Sequence, residues 1–235
     1  MLNFPHNSTI HPWIGTGGGT GPRTPALVSS GVSGSTAGTA PVTINTTGAT
    51  LLTAVLSSVV TTQSISDAVG GQSNAWNFLP QQNTTNGNWT QIVYAFAKTG
   101  GGPLQTGTSH VFTPSGTDAV IAVFAFSGTL TTSAVFDSAN GATNLVSPFQ
   151  PGSITPTAGD LVVSGIGSQN SSITGLSVNS GFTGLLAQTN GASVEPVAAA
   201  YLLNAANSPL NPTWTDSRAI SGSTSGDSCV IACFK

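Results

Sequence analysis

The chain has 235 residues, of which only 5% are charged, compared with about 25% in ordinary soluble domains. With four basic residues and a formal net charge of -3, it has no phosphate-binding patch, so we expect neither nucleic acid nor an anionic membrane surface as a partner. The surface must consist mainly of Ser, Thr, Asn, Gln and Gly, which lets copies pack together at little electrostatic cost.

Residues 1–39 show no apolar periodicity of either strand or helix type. The start of the chain lacks the basic and apolar regions of a secretory signal, which predicts synthesis in a cytoplasm without Sec export. Phe4, Trp13 and Ile14 are costly to leave in water. We therefore predict an extended Gly/Ser/Thr-rich assembly arm that becomes ordered on an adjacent subunit, with an unstructured tail as the alternative.

Short β-type runs follow from Pro41 onward, separated by Gly, Pro, Asn and Ser, and no stretch has the pattern of an amphipathic helix. The pattern predicts an all-β fold, with an antiparallel, jelly-roll-like β-sandwich over residues 40–235. No internal repeat of long period is evident. The predicted strands are Val42–Thr46, Leu51–Val60, Ala75–Leu79, Trp89–Lys98, Ser109–Thr113, Ala119–Ser127, Leu161–Gly165, Phe182–Gln188, Val197–Leu203, Thr213–Thr215 and Cys229–Phe234.

The strand within Asp118–Gly128 is apolar on both faces, with Phe124 on one face and Ile121 on the other. The same pattern recurs at Val197–Leu203 and Cys229–Phe234. A sheet with one face in water would alternate apolar with polar residues. We therefore predict that the outer faces of the sandwich pack against neighbouring subunits.

The motifs that suggest enzyme chemistry are incomplete. Gly15–Pro22 lacks the Lys-Ser or Lys-Thr and the helix of a phosphate-binding loop. Gly226-Asp227-Ser228 resembles a serine-hydrolase fragment, but its serine runs into a predicted buried strand, and His110 is the one histidine outside the arm. We expect no catalytic residues and no cofactor.

The seven acidic residues are spread singly, nearly all beside Gly, Ser or Ala at strand ends. This favours turn capping, with a calcium site built from one or two of them as the alternative. Cys229 and Cys233 are four residues apart on one strand, beyond disulfide reach, and are predicted to be small buried thiols. No resident metal is expected.

Three tryptophans lie within strand-like runs, which favours packing in the core. They are Trp76, Trp89 and Trp214. The alternative is that exposed tryptophans stack on sugars, as aromatic platforms do in carbohydrate-binding sandwiches.

Residues 41–235 resemble a β-sandwich module of bacteriophage virion proteins, head-decoration or tail-associated, that also occurs in bacterial surface proteins. The resemblance lies in the order of several short segments, and the chain departs from it at Gly70–Ser73, where the family's turn carries more charge. It implies a structural or attachment role without catalytic residues. The segments are Thr43–Leu52, Ser66-Asp67, Asn74–Trp76, Ile92–Ala95, Val123–Gly128, Pro156–Val163 and Ile231–Lys235.

These observations predict a non-enzymatic structural protein of a tailed-phage virion, either a capsid decoration (cement) protein or another capsid-associated protein. Its expected partners are copies of itself, as a homo-oligomer such as a trimer, and other virion proteins such as the major capsid protein. The alternative is a tail or surface adhesin module that binds host glycan through Trp76 and Trp89.

Overall fold

The computed structural model describes residues 24–33, 40–59, 63–85, 87–115, 118–145, 147–168, 175–188, 196–216 and 227–235. These residues contain β-strands, one short 3₁₀ turn at Ser133–Val135 and no α-helix. A helix able to cross a membrane is absent from this part of the chain. The strands are β1 Ala26–Val32, β2 Val42–Ile44, β3 Leu51–Ser58, β4 Ser64–Ala68, β5 Asn77–Phe78, β6 Gln82–Asn83, β7 Trp89–Ala95, β8 His110–Ser115, β9 Val120–Ser127, β10 Phe136–Leu145, β11 Leu161–Gly167, β12 Ser177–Val178, β13 Thr183–Gln188, β14 Val197–Leu202, β15 Trp214–Thr215 and β16 Asp227–Phe234.

The strands form two large and two small antiparallel sheets. The first large sheet has the order β1-β9-β3-β7-β5, with β6 also paired to β7, and the second has the order β10-β16-β11-β14-β13. The small sheets are β2-β8-β4 and β12-β15. The predicted all-β, antiparallel sandwich is confirmed.

The central core lies between the two large sheets, which pack face to face. It includes Leu51 and Val55 from the first sheet and Leu161 and Val163 from the second, all fully buried. Burying apolar surface is worth about 25 cal/mol per Å², so this layer supplies a large share of the folding free energy.

The outer faces of the large sheets are covered by the same chain. The sheet β2-β8-β4 packs on the first large sheet, where it buries Ile121 and Val123. Residues around Phe149, Phe182 and Trp214 bury the outer face of the second large sheet. The two-faced strands are therefore explained by a four-layer molecule. The prediction that these faces are left for neighbouring subunits is wrong.

The two halves of the chain have the same topology. Strands β1, β3, β5, β7 and β9 of the first half take the same order in their sheet as β10, β11, β13, β14 and β16 of the second. Even the irregularity between Leu27 and Ser29 in β1 recurs between Phe136 and Ser138 in β10. We call β1–β9 repeat 1 and β10–β16 repeat 2. This duplication is not evident in the amino-acid sequence, because the repeats share strand order rather than residues.

The contact between the repeats has an approximate two-fold symmetry. Tyr94 of repeat 1 contacts Phe234 of repeat 2, with ring centroids 5.3 Å apart. In return Tyr201 of repeat 2 contacts Phe126 of repeat 1, with centroids 5.4 Å apart. The strand registers make Tyr94 equivalent to Tyr201 and Phe126 equivalent to Phe234. Such a reciprocal contact is the pattern of an isologous dimer interface, here within one chain.

Strand β1 lies inside the 1–39 segment that the sequence assigns to the arm. It pairs antiparallel with β9 and forms one edge of the first large sheet. A Cβ on Gly31 would lie 2.7 Å from Ile44 Cγ2, so glycine lets β1 approach β2 closely. Ser and Gly give the segment no apolar alternation, which explains why the sequence pattern placed the start of the sandwich at residue 40 although the sheet begins at β1.

Candidate functional site

A hydrogen-bond network around His110 is the main buried polar feature of repeat 1. His110 lies on β8 and Asp67 on the neighbouring strand β4, while Thr46 follows β2. His110 Nε2 lies 2.9 Å from Asp67 Oδ2, and Nδ1 lies 3.0 Å from Thr46 Oγ1. The network therefore joins all three strands of the small sheet.

The Asp67 carboxylate accepts four hydrogen bonds. Asn74 donates from its backbone N–H to Oδ1 at 2.9 Å and from its side chain to Oδ2 at 2.6 Å. Trp76 Nε1 donates to Oδ1 at 3.2 Å, and His110 supplies the fourth. Burial acts to raise the pKa of Asp67, but these hydrogen bonds, led by that of His110, hold it below its usual value.

The ionised carboxylate fixes the tautomer of His110, because a carboxylate can only accept and Nε2 must therefore carry a proton. Nδ1 then faces the hydroxyl of Thr46, which also accepts the Gly107 backbone N–H at 3.0 Å. Hydroxyl, imidazole and carboxylate thus stand in the order of a hydrolase triad.

The network is closed to substrate. Thr46 and His110 have no exposed surface, and Asp67 is 5% exposed. The His110 ring stacks on Phe112 with centroids 4.2 Å apart, and Trp76 covers Phe112 edge-on. Its observed contacts brace the loops that contain Asn74 and Gly107.

The described residues of the corresponding layer in repeat 2 form no such network. Asp67 and Val178 are equivalent, because each lies opposite the matching aromatic residue, Phe112 or Trp214. The backbone bond from Thr46 N to Gly107 O is likewise matched by one from Ile154 N to Leu210 O. The topology therefore accepts apolar residues at these positions, and within the part of the chain that the structure describes the polar network occurs in repeat 1 alone.

A second polar cluster lies at the C-terminal end of β16. One ligand-type atom from each of Asp137, Asp160 and Cys233 lies within 4.8 Å of the others. Lys235 Nζ makes an ion pair with Asp137 Oδ1 at 2.6 Å. Burial raises the pKa of Asp160, against the hydrogen bond that its Oδ2 accepts from Thr157 N at 2.9 Å. That bond caps a turn, which is the role predicted for the acidic residues. The Lys235 ammonium group carries the positive charge that a bound metal ion would otherwise supply to this cluster.

Ser228 and Cys229 lie outside both clusters, whereas Cys233 belongs to the second. Ser228 is buried in β16, as the sequence predicted, and its hydroxyl is 2.6 Å from Thr90 Oγ1. Cys229 and Cys233 are free, buried thiols, also as predicted. Burial raises the pKa of both cysteines.

The tryptophans differ in exposure. Trp214 is fully buried and donates a hydrogen bond to Ser164 Oγ at 3.0 Å, so its predicted core role is confirmed. Trp76 and Trp89 are half-buried. Phe78 is the one large hydrophobic side chain among the described residues that is exposed, at 44%.

The proposed arm residues Phe4, Trp13 and Ile14 lie outside the described residues. Sequence reasoning treated Asp67, Asp137 and Asp160 as isolated acids and missed that the fold brings each of them to other titratable groups. The available signal was the position of Asp67 and His110 within short alternating segments, where their side chains point inward. Comparisons with family models, curated proteins and solved structures find no match to this chain.

Proposed function

We propose that this chain is a non-enzymatic structural protein of a tailed-phage virion, acting as a capsid decoration protein or another capsid-associated protein. The observation that carries the proposal is the closure of the His110 network, whose members are buried and whose bonds brace the loops of the small sheet. The order of short segments that resembles phage β-sandwich modules supports the same class.

Because the chain itself covers the outer faces of both large sheets, these faces are not the surfaces through which such a protein would contact its neighbours. Its large apolar faces are already used inside the chain, so contacts with neighbours fall on a polar but almost uncharged surface. An interface of standard size buries about 1,600 Å² in total. Because few charges are present to be screened, we expect self-association and particle binding to be insensitive to salt.

The direct test is to locate the protein in particles. An antibody raised against the purified protein should label virions from the native source by immunogold electron microscopy, and the protein should remain with them from about 0.05 to about 1 M NaCl. Particles that carry no label would contradict the virion role. Release of the protein by salt alone would contradict the uncharged interface.

The arm can be tested with a shorter deletion than the sequence suggests. Removing residues 1–39 would also remove β1 from the first large sheet, so loss of folding would hide any assembly role. Deletion of residues 1–23 leaves β1 intact. If that variant folds and binds particles as the full chain does, the arm has no role in assembly.

Glycan binding is the second candidate, and exposed aromatic side chains favour it. Phe78 is exposed and Trp89 is half-buried, whereas Trp76 is held by Asp67 and Phe112. An adhesin should lose polysaccharide binding on Phe78→Ala or Trp89→Ala while keeping its fold. Unchanged binding in both variants, or none in the unmodified protein, would remove this candidate.

A further inference from the structure

A cavity of about 170 Å³ lies where the edges of the two large sheets meet, between β6–β7 and β10–β16. Leu79, Ile92 and Val230 line it and belong to the central core. Gln82 contributes a polar side chain to the lining, whereas Asn140, which lies opposite Ile231 of the outer core, directs its side chain to the other face of β10. None of the described lining residues carries a charge.

The duplication shows why the cavity is present at this seam. Val32 and Gly141 are equivalent, because Val32 lies opposite Ala122 and Gly141 opposite Val230 in matching registers. Val32 packs against the central core, whereas Gly141 has no side chain to do so. Instead the Gln82 side chain crosses Gly141, with its Cγ 2.5 Å from the place where a Cβ would be. A wall of the cavity is thus a polar side chain at a half-buried position.

We propose that this cavity is a binding site for a small, uncharged organic group of about the size of a phenol ring. An enclosed apolar cavity of about 150 Å³ is known to accept benzene. This one has a similar volume but is partly open to solvent, since Ala139 and Asn140 at its edge are exposed. A charged ligand would leave water without a counter-charge, which is strongly unfavourable.

The rim sets where the polar atom of the ligand lies. The Asn140 side chain is on the outer face of β10, where its Nδ2 donates to Ser153 O at 3.1 Å and its Oδ1 accepts from Gly141 N at 2.8 Å. Gln82 therefore supplies the adjustable carboxamide, which can donate to or accept from a hydroxyl. The ligand enters ring first, with its hydroxyl toward Gln82.

The test uses phenol, benzene and benzoate as probes of the full chain, followed by methyl NMR. Phenol and benzene should cause saturable shift changes in Leu79, Ile92 and Val230, and benzoate should not. Absence of saturable changes with phenol and benzene up to their solubility limits would overturn the site. Equal binding of benzoate would overturn its uncharged character.

Two substitutions on β10 provide a matched pair. Ala139 lines the cavity and lies opposite Ala232 of the central core. Ala139→Leu should therefore fill the cavity and raise the Kd for phenol by about tenfold or more. Ala142 lies opposite Cys229 of the outer core, so Ala142→Leu should leave binding unchanged. Equal affinities for phenol in the two folded variants would overturn the location.

A third variant keeps the proposal testable if Ala139→Leu fails to fold. Gln82→Ala removes a half-buried side chain outside the core. Gln82→Ala should lower the affinity for phenol about threefold more than the affinity for benzene, because only phenol has a hydroxyl group that can form a hydrogen bond. An identical change for both probes would overturn the role given to Gln82.

Discussion

The contact between Val55 and Gly165 tests the packing of the two repeats. The registers make these residues equivalent, and they meet where the approximate two-fold axis crosses the central core. A Cβ on Gly165 would lie 2.6 and 2.8 Å from the two Cγ atoms of Val55, and 3.0 Å from Ala198 O. Carbon atoms in contact are normally about 3.5–4.0 Å apart. Gly165→Ala therefore forces an overlap of about 1 Å against a stiff, branched side chain.

We expect Gly165→Ala to destabilise the protein by about 2–3 kcal/mol, the upper part of the range for overpacking. For a chain of this length the melting temperature should fall by about 4–12 °C. Val55→Ala alone should cost about 2–3 kcal/mol, since it removes two buried methyl groups and leaves a cavity.

The double variant Val55→Ala/Gly165→Ala shows whether the destabilisation by Gly165→Ala comes from overlap with Val55 or from another cause. With Val55→Ala present, the Gly165→Ala methyl group has space, and its cost should fall to about 1 kcal/mol or less, with Ala198 O as the remaining close contact. Urea unfolding of the four proteins gives this coupling directly. The proposed contact is refuted if Gly165→Ala costs the same in both backgrounds.

Further predictions concern the network, the thiols and the tyrosines. Asp67→Asn should cost about 2–4 kcal/mol in urea unfolding at pH 7, because it leaves buried donors without an acceptor. Since the folded pKa of Asp67 is lowered, its contribution is present above about 3.8 and is lost as pH falls through the folded value, so the difference from Asp67→Asn should shrink in acid. Cys229 and Cys233 should resist a thiol reagent until the protein unfolds, and rapid labelling of the native state would contradict their burial. Tyr94→Ala and Tyr201→Ala should each cost about 3–5 kcal/mol, and a negligible cost for either would contradict the reciprocal packing.

The sequence was sufficient for the strands with strong apolar patterns but not for those at the margins. Leu51–Ser58, Val120–Ser127 and Asp227–Phe234 were predicted almost in full because each contains a run of apolar residues bounded by polar or turn residues. Strand β4 has an inward-facing Asp67 where apolar periodicity expects a hydrophobic residue. Strand β1 was missed because a sheet edge can be formed by Ser and Gly.

Two apolar faces on one strand predict a cover on each face, but periodicity does not say which chain provides it. Here the first large sheet is covered by β2, β4 and β8. These short segments have too little apolar character for the sequence to predict that they cover a sheet. The His110 network has the same origin. Its members Asp67 and His110 are 43 residues apart, and only the pairing of β4 with β8 brings them together.

The duplication within one chain also explains how the repeats could become different. In a symmetric dimer of identical subunits, a residue on the axis meets itself, so Val would meet Val or Gly would meet Gly. Two valines would overlap and two glycines would leave a void, whereas the covalently joined repeats place Val55 against Gly165. The same freedom allows a polar Asp67 opposite Phe112 in repeat 1 and an apolar Val178 opposite Trp214 in repeat 2. Features that one repeat has and the other lacks are therefore not required by the shared topology. The His110 network is of this kind, and its burial assigns it to structure, whereas the cavity beside Gly141, where repeat 1 has Val32, is accessible to a ligand and is where function is best sought.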